Sequence, residues 1–250
     1  MLSVCMATFN GGCYIEEQLK SILEQLDDND EVIISDGGSS DDTLELISEI
    51  NDSRVKVVTY DGVGVIGNFE NAMSVAQGEC IFLADQDDVW LPGRVSAMVS
   101  ALGSNILVMA NSAYVDAKLT ATGLTAFGDT LPVLSFRNIF IRNRFIGCHM
   151  AFRRELVDAM LPFPKKIPMH DSYIAGVLWF SRRSVAVIND SLMLYRRHDA
   201  NASSTGARST RSIITQLLDR FFLMTAVVGG GMRFIKNVRK LTDKCENDSK

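Results

Sequence analysis

The sequence predicts an α/β fold with a mostly parallel central sheet and helices on both faces. The first hundred residues alternate short apolar runs with segments of helical period. Polar and acidic residues gather just behind those runs, where open parallel sheets bind ligands. At 250 residues and 47% hydrophobic content the chain can bury a sizeable core, as one large domain or two small ones.

The first strand is "LSVCMA", whose apolar run reads as fully buried. From Tyr14 to Leu26, Ile15, Leu19, Ile22, Leu23 and Leu26 recur at helical spacing. "EVIIS" is the second strand, followed by a helix capped by Asp41 or Asp42 and carrying Leu44, Leu46, Ile47 and Ile50. "VKVV" is the third. Phe69, Ala72, Met73 and Ala76 mark the next helix, which Gly78 can end. "CIFLA" is the fourth strand, Pro92 opens a helix reaching about Leu102, and "ILVMA" is the fifth strand. Beyond it "HMAF", "SVAVIN" and "SLMLY" read as strands, and Arg154 to Met160 and Ser172 to Phe180 as helices. "HDANASSTGARSTRS" reads as a polar loop. The apolar "IITQLLDRFFLMTAVV" is then interrupted at "GGG" before "MRFIKNVRKL".

A net charge of -5 argues against general nucleic-acid binding. The cysteines are Cys5, Cys13, Cys80, Cys148 and Cys245, an odd number without C-x-x-C spacing. This favours reduced thiols in the cytosol over a disulfide framework or a zinc site. The opening residues lack the pattern of a signal peptide, and no unbroken apolar run reaches the ~18 residues of a membrane span.

The chemistry sits at the strand ends. Thr8, Phe9 and Asn10 follow the first strand, "SDGGSSDDT" closes the second, and "DQDD" closes the fourth, with Trp90 just after it. Asp85, Asp87 and Asp88 repel one another unless a cation is present. An oxygen-rich cluster without cysteine suits Mg²⁺ or Mn²⁺. A single acid would suffice to cap the helix before Pro92.

"CMATFNGGCYIEEQLKSILEQ", "EVIISDGGSSDDT" and "GECIFLADQDDVWLPGRV" resemble the family 2 glycosyltransferases of GT-A fold, in the branch that builds bacterial surface polysaccharides and includes rhamnosyltransferases. The similarity covers about the first hundred residues closely, with scattered matches to about Asn201. It implies an inverting, hexosyltransferase-type enzyme that moves a sugar from a nucleotide diphosphate to a saccharide, often lipid-linked, in polysaccharide or O-antigen synthesis. Asp85-Gln86-Asp87 corresponds to the D-x-D motif. Asp87 is then the first choice for a Mg²⁺ or Mn²⁺ ligand, Asp85 faces the ribose, and Asp88 is an alternative ligand or supporting contact. Thr8, Phe9 and Asn10 line the base, and Asp36 reaches the base or ribose. Relatives often carry a second acid where this chain has Gly37, which leaves base recognition to Asp36, to backbone, or to neither.

In "PMHDSYIAGV", Asp171 corresponds to the family's acid at a helix start and is the expected general base. The competing role is an N-cap. In "LYRRHDANAS", Arg196 and Arg197 are expected on the diphosphate and His198 on the metal. His149, His170 and Trp90 are expected on the acceptor side or the pocket wall, against ordinary structural roles.

Three rival functions bear comparison. "DGVGVIGNF" matches the dinucleotide pattern G-x-G-x-x-G, but it follows the third strand, not the first, and its supposed ribose acid lies inside an acid cluster. A nucleotidyltransferase needs a Gly- and basic-rich loop after the first strand, where "TFNGGCYIEEQ" has neither Lys nor Arg. A non-catalytic binding module would not need both the acid cluster and Asp171.

The expected domains are 1–205, catalytic, with a nucleotide-binding half 1–104 and an acceptor-binding half 105–205, and a helical basic-apolar extension 206–250. Leu217, Leu218, Phe221, Phe222, Leu223 and Met224 are apolar there, amid Arg208, Arg211, Arg220, Arg233, Lys236, Arg239 and Lys240. Such a helix fits the headgroup zone on the inner face of the cell membrane, or packs on the core or a second subunit.

Overall fold

The structure, a computed structural model, describes residues 1–198 and 212–248, with side chains to residue 237. The expected boundary at 205/206 lies outside the described residues, as do Asn201, Arg208, Arg211 and the side chains of Arg239, Lys240 and Cys245.

The opening half follows the expected order: β1 (Leu2–Thr8), α1 (Ile15–Leu23), β2 (Glu31–Asp36), α2 (Thr43–Ile50), β3 (Val55–Thr59), α3 (Val65–Val75) and β4 (Cys80–Asp85). A short β5 (Val89–Trp90) precedes α4 (Arg94–Leu102) and β6 (Leu107–Val115). Then come β7 (Ala121–Thr125), β8 (Met150–Arg153), α5 (Arg154–Met160), α6 (His170–Phe180), β9 (Val185–Arg196) and α7 (Ile213–Asp248).

The sheet runs β3-β2-β1-β4-β8-β6-β9-β5, with β7 beside β6. β1 to β4 are mutually parallel. β8 pairs antiparallel with both β4 and β6, so β6 and its parallel partner β9 run in the same direction as β1 to β4. The sheet is therefore mostly unidirectional.

Its two faces build the core by strand alternation. Val4, Met6, Val32, Ile34, Phe82 and Ala84 pack with Ile15, Leu19 and Met98 of α1 and α4. Cys5, Ile33, Ile81 and Leu83 point the other way, onto Phe69, Met73, Leu156, Ile174 and Val227 of α3, α5, α6 and α7.

Two elements depart from expectation. "SVAVIN" and "SLMLY" form one strand, β9, whose register against β6 jumps from Ala110↔Ile188 to Asn111↔Ser191. Asn189 and Asp190 bulge out there, so a polar pair that reads as a turn is accommodated inside a strand. α7 runs straight through "GGG" because α6 approaches closely. A Cβ at Gly230 would strike Tyr173, one at Gly231 would strike Phe180, and Val227 fills the space over Gly176. The stretch Ile213–Asn237 has the length and apolarity of a membrane span (mean hydropathy 1.4). Leu223, Val227 and Phe234 are nevertheless buried against the body, leaving an amphipathic surface helix.

Candidate active site

Sheet register brings the strand ends together. Thr8 lies opposite Asp36, and Ala7 opposite Asp85. The Gln86 side chain accepts from the Phe9 N–H at 2.9 Å and donates to the Phe9 carbonyl at 3.2 Å, which ties the first turn to the acidic one. A cleft of about 580 Å³ opens there, lined by Thr8, Phe9, Asp85, Gln86, Asp87, His170, Asp171 and Tyr195 among others.

The acids divide by environment. Asp85 is half-buried, and burial, then the Asp87 charge, pushes its carboxyl up to about 7. Asp88 is buried at 1% exposure. Its Oδ1 accepts from the Arg196 N–H at 3.1 Å, and its Oδ2 has no partner. Burial and the neighbouring Asp85 and Asp87 hold its pKa well above the ordinary carboxylate value. Asp87 Oδ2 lies 2.8 Å from His198 Nε2. The fold also brings Cys148 to the acids: ligand atoms of Asp85, Asp88 and Cys148 lie within 4.8 Å of one another. An unpartnered carboxylate oxygen inside a crowded acid cluster is a specific reason for a cation to bind here. Asp87 offers a carboxylate oxygen of the kind that suits Mn²⁺ or Mg²⁺, with the His198 imidazole beside it.

Asp171 lies in the first turn of α6 and lines the same cleft. Met169, not Asp171, holds the N-cap position. Asp171 Oδ1 accepts from Asn143 Nδ2 at 3.0 Å and from the Ser172 N–H. Burial outweighs those bonds and pushes the carboxyl up to about 7. Its neighbour His170 is buried against Phe69, with both ring nitrogens unpartnered, and burial lowers its pKa to about 4. It is a neutral imidazole at the cleft wall.

Several expected residues sit elsewhere. The Asp36 carboxylate accepts from Gly38 N–H, Ser39 N–H, the Ser39 hydroxyl and the Thr8 hydroxyl, at 2.6–3.0 Å. Those bonds occupy it in shaping the turn after β2. Asn10 has a left-handed φ of 49° and accepts from the Ser40 N–H, fixing the adjoining turn. Arg196 is buried, donating to the Asp87 carbonyl at 2.7 Å, to the Ala117 carbonyl at 2.8 Å and to Glu17. It supports the acidic turn from behind and is not among the cleft-lining residues. Arg197 stacks over Tyr114 with its Cζ 5.3 Å from the ring centroid.

Two aromatic expectations give way to structural roles. Trp90 packs on Phe82 beneath the Arg94 guanidinium, because β5 turns it inward. His149 is fully buried, with Nε2 2.8 Å from the Ser112 hydroxyl, and burial lowers its pKa to about 3.

Other residues take the places these leave. Gly37, Tyr60, Val63 and Asn68 line the cleft beside Thr8 and Phe9. Asn68 Nδ2 donates to the Thr8 carbonyl at 2.9 Å, while its Oδ1 is buried without a partner. The signal in the sequence was a polar residue one turn before Ala72 on the buried stripe of α3. The glycines of "DGVGVIGNF" serve local structure: a Cβ at Gly62 or Gly67 would collide with the Tyr60 ring, and Gly64 takes a φ of 94° just before α3.

The family model described as glycosyl transferase family 2 matches residues 3–161. The dTDP-rhamnosyl transferase RfbG of Shigella flexneri is 26% identical over 221 residues, covering 78% of this chain and 72% of RfbG. The Escherichia coli enzyme named UDP-Glc:alpha-D-GlcNAc-diphosphoundecaprenol beta-1,3-glucosyltransferase WfgD is 30% identical over 106 residues, 42% of each chain. Among solved structures, the mannosyltransferase PcManGT from Pyrobaculum calidifontis, in complex with GDP-Man and Mn²⁺, superposes with a TM-score of 0.60. That match has 17% identity and covers 97% of this chain and 75% of PcManGT.

Proposed function

The chain belongs to glycosyl transferase family 2, and on that footing we propose that its cleft binds a nucleotide-diphosphate sugar with a divalent cation and transfers the sugar, with inversion, to a lipid-linked saccharide. The observation that carries this reading is one cleft lined by both the Asp85–Asp87 turn and Asp171. The family, the rhamnosyl and glucosyl transferase relatives, and the lipid diphosphate in the name of one of them support the substrate classes.

Asp87 and His198 would hold the cation, and Asp85, beside them, would face the ribose. Mg²⁺ or Mn²⁺, when bound, supplies positive charge against the diphosphate leaving group. Arg196 keeps Asp87 in place through the Asp87 carbonyl, and Gln86 keeps Phe9 against the acidic turn. The base lies between Phe9, Tyr60 and Gly37, where Asn68 Oδ1 accepts a base N–H. His170, a neutral imidazole, orients the acceptor hydroxyl. Asp171 takes the proton of that hydroxyl as its oxygen forms the bond to the anomeric carbon. The carbon–oxygen bond to the diphosphate breaks, and the diphosphate leaves with the electron pair. The catalytic part, 1–205, and the helical extension, 206–250, act together at the inner membrane face.

The test is a panel of nucleotide sugars with Mn²⁺, Mg²⁺ or chelator, read by release of nucleoside diphosphate. Cation-dependent release from at least one sugar nucleotide is expected. Release that persists in chelator, or none from any donor, removes the reading.

A further inference from the structure

Away from the catalytic cleft, the loop before α6 and the flank of α7 enclose a second groove of about 630 Å³. Lys165, Lys166 and Arg233 line it with Phe222 and Gly229. All three cations are exposed, and among the described residues none lies within ion-pair distance of a carboxylate. Lys166 Nζ sits 4.9 Å from the Phe222 ring centroid, and Arg233 Nη2 reaches the Tyr173 hydroxyl at 3.4 Å. A chain of net charge -5 thus gathers three exposed cations around one groove.

Gly229 adds a second observation. Glycine weakens a helix interior. Gly230 and Gly231 are required by the close approach of α6, but a Cβ at Gly229 would meet nothing within 4 Å. Packing does not demand glycine there; its effect is to leave the groove open.

Along the same helix, Ile213, Ile214, Leu217, Leu218 and Phe221 are 50–76% exposed. A contiguous apolar face of this kind marks an interaction surface. The adjoining cations decide what it meets. Lysine is depleted from protein–protein interfaces, and a second copy would bring like charge to like charge in a two-fold contact. An apolar helix face bordered by lysine and arginine matches an anionic bilayer surface.

We propose that the Lys165–Lys166–Arg233 groove holds the phosphate of an anionic lipid headgroup while the exposed face of α7 enters the acyl boundary. The surface is a membrane-docking site. Tyr173, which Arg233 contacts, lies two residues beyond Asp171 on α6. α6 thus carries a cleft residue and a groove contact within one turn, and docking brings the enzyme to the surface where a lipid-linked acceptor lies, a consequence that rests on the glycosyltransferase reading.

Flotation of the full chain with phosphatidylcholine vesicles, with and without phosphatidylglycerol, tests this, alongside release of nucleoside diphosphate from a sugar nucleotide in the same preparations. The wild type is expected to float with phosphatidylglycerol vesicles, less in high salt but not at zero. Lys165→Gln/Lys166→Gln should weaken binding by about fivefold per charge, on the order of twenty-five-fold together. Gly229→Glu adds a carboxylate beside the groove at a position where a Cβ meets nothing within 4 Å, and should weaken binding while keeping the circular dichroism spectrum. Leu217→Ser/Phe221→Ser should remove the salt-resistant part. None of these changes should alter donor cleavage.

Docking is overturned if the wild type does not float, or if the lysine and Gly229 variants float like the wild type. It is overturned equally if inorganic phosphate displaces the protein from vesicles, which marks a free-phosphate site. A Leu217→Ser/Phe221→Ser variant that turns a dimer into a monomer while floating unchanged assigns the face to a second copy instead. Donor cleavage without flotation removes docking alone; flotation without donor cleavage removes the enzyme reading alone.

Discussion

Replacing Asp171 by Asn should slow the enzyme and stabilise it at once. The carboxyl is raised from 3.8 to about 7, chiefly by burial. At ~1.36 kcal/mol per pH unit, that rise is a penalty of roughly 4 kcal/mol on the charged form. The sign follows from proton binding. Between pH 3.8 and about 7 the folded chain holds a proton that the unfolded chain has released, so Asp171 lowers stability progressively as pH rises through that window. The amide of the Asp171→Asn variant would keep an oxygen for Asn143 Nδ2 and the Ser172 N–H but has no charge to bury. At pH 8 the variant should gain up to ~4 kcal/mol, at about 2–4 °C of Tm per kcal/mol for a chain of this size. Near pH 4 the two proteins should melt alike. Turnover at pH 8 should fall ~10²–10⁴-fold, with donor affinity nearly unchanged. In the wild type the rate should fall tenfold per pH unit below about 7, as the base is protonated. Melting curves at pH 4 and 8, with transfer rates across pH, make the test. Wild-type turnover in Asp171→Asn, or a Tm that drops at pH 8, would refute the assignment.

Asn68→Ala should weaken donor binding roughly fivefold to a hundredfold, the effect of losing one ~1–3 kcal/mol hydrogen bond from its buried Oδ1; an unchanged Kd in a titration with the nucleoside diphosphate would show that Asn68 does not meet the base. Trp90→Ala should destabilise the fold by ~3–5 kcal/mol, because the ring is buried on Phe82, while leaving donor KM unchanged below the melting range. A raised KM with unchanged Tm would return Trp90 to the pocket wall.

The parallel half of the fold was legible because β1, β2 and β4 are buried on both faces and read as short apolar runs. The acids were legible because a strand end followed by crowded carboxylates is costly without a cation. The insertion of β8 between β4 and β6 was not, since four residues pair with strands far off in sequence and leave no local pattern. Side-chain commitments were equally hidden. Arg196 reads as a diphosphate contact until Glu17, 179 residues away, is seen beside it. Asp36 reads as a contact to the base or ribose, and only the structure shows the N–H groups of Gly38 and Ser39 pointing at it. Asn68 was hidden as well: it lines the cleft beside Gly37, but nothing in its local sequence marks it apart from its place on the buried stripe of α3.

The central claim is that the strand-end acids grip a nucleotide diphosphate through a cation. Calorimetric titration of UDP, dTDP and GDP into wild type and Asp87→Ala, each with Mn²⁺ and with chelator, tests it most directly. At least one nucleotide should bind the wild type in Mn²⁺ and not in chelator, and none should bind Asp87→Ala in a cation-dependent way, although that variant melts no lower than the wild type. Nucleotide binding that ignores Mn²⁺, or that survives intact in Asp87→Ala, would contradict it.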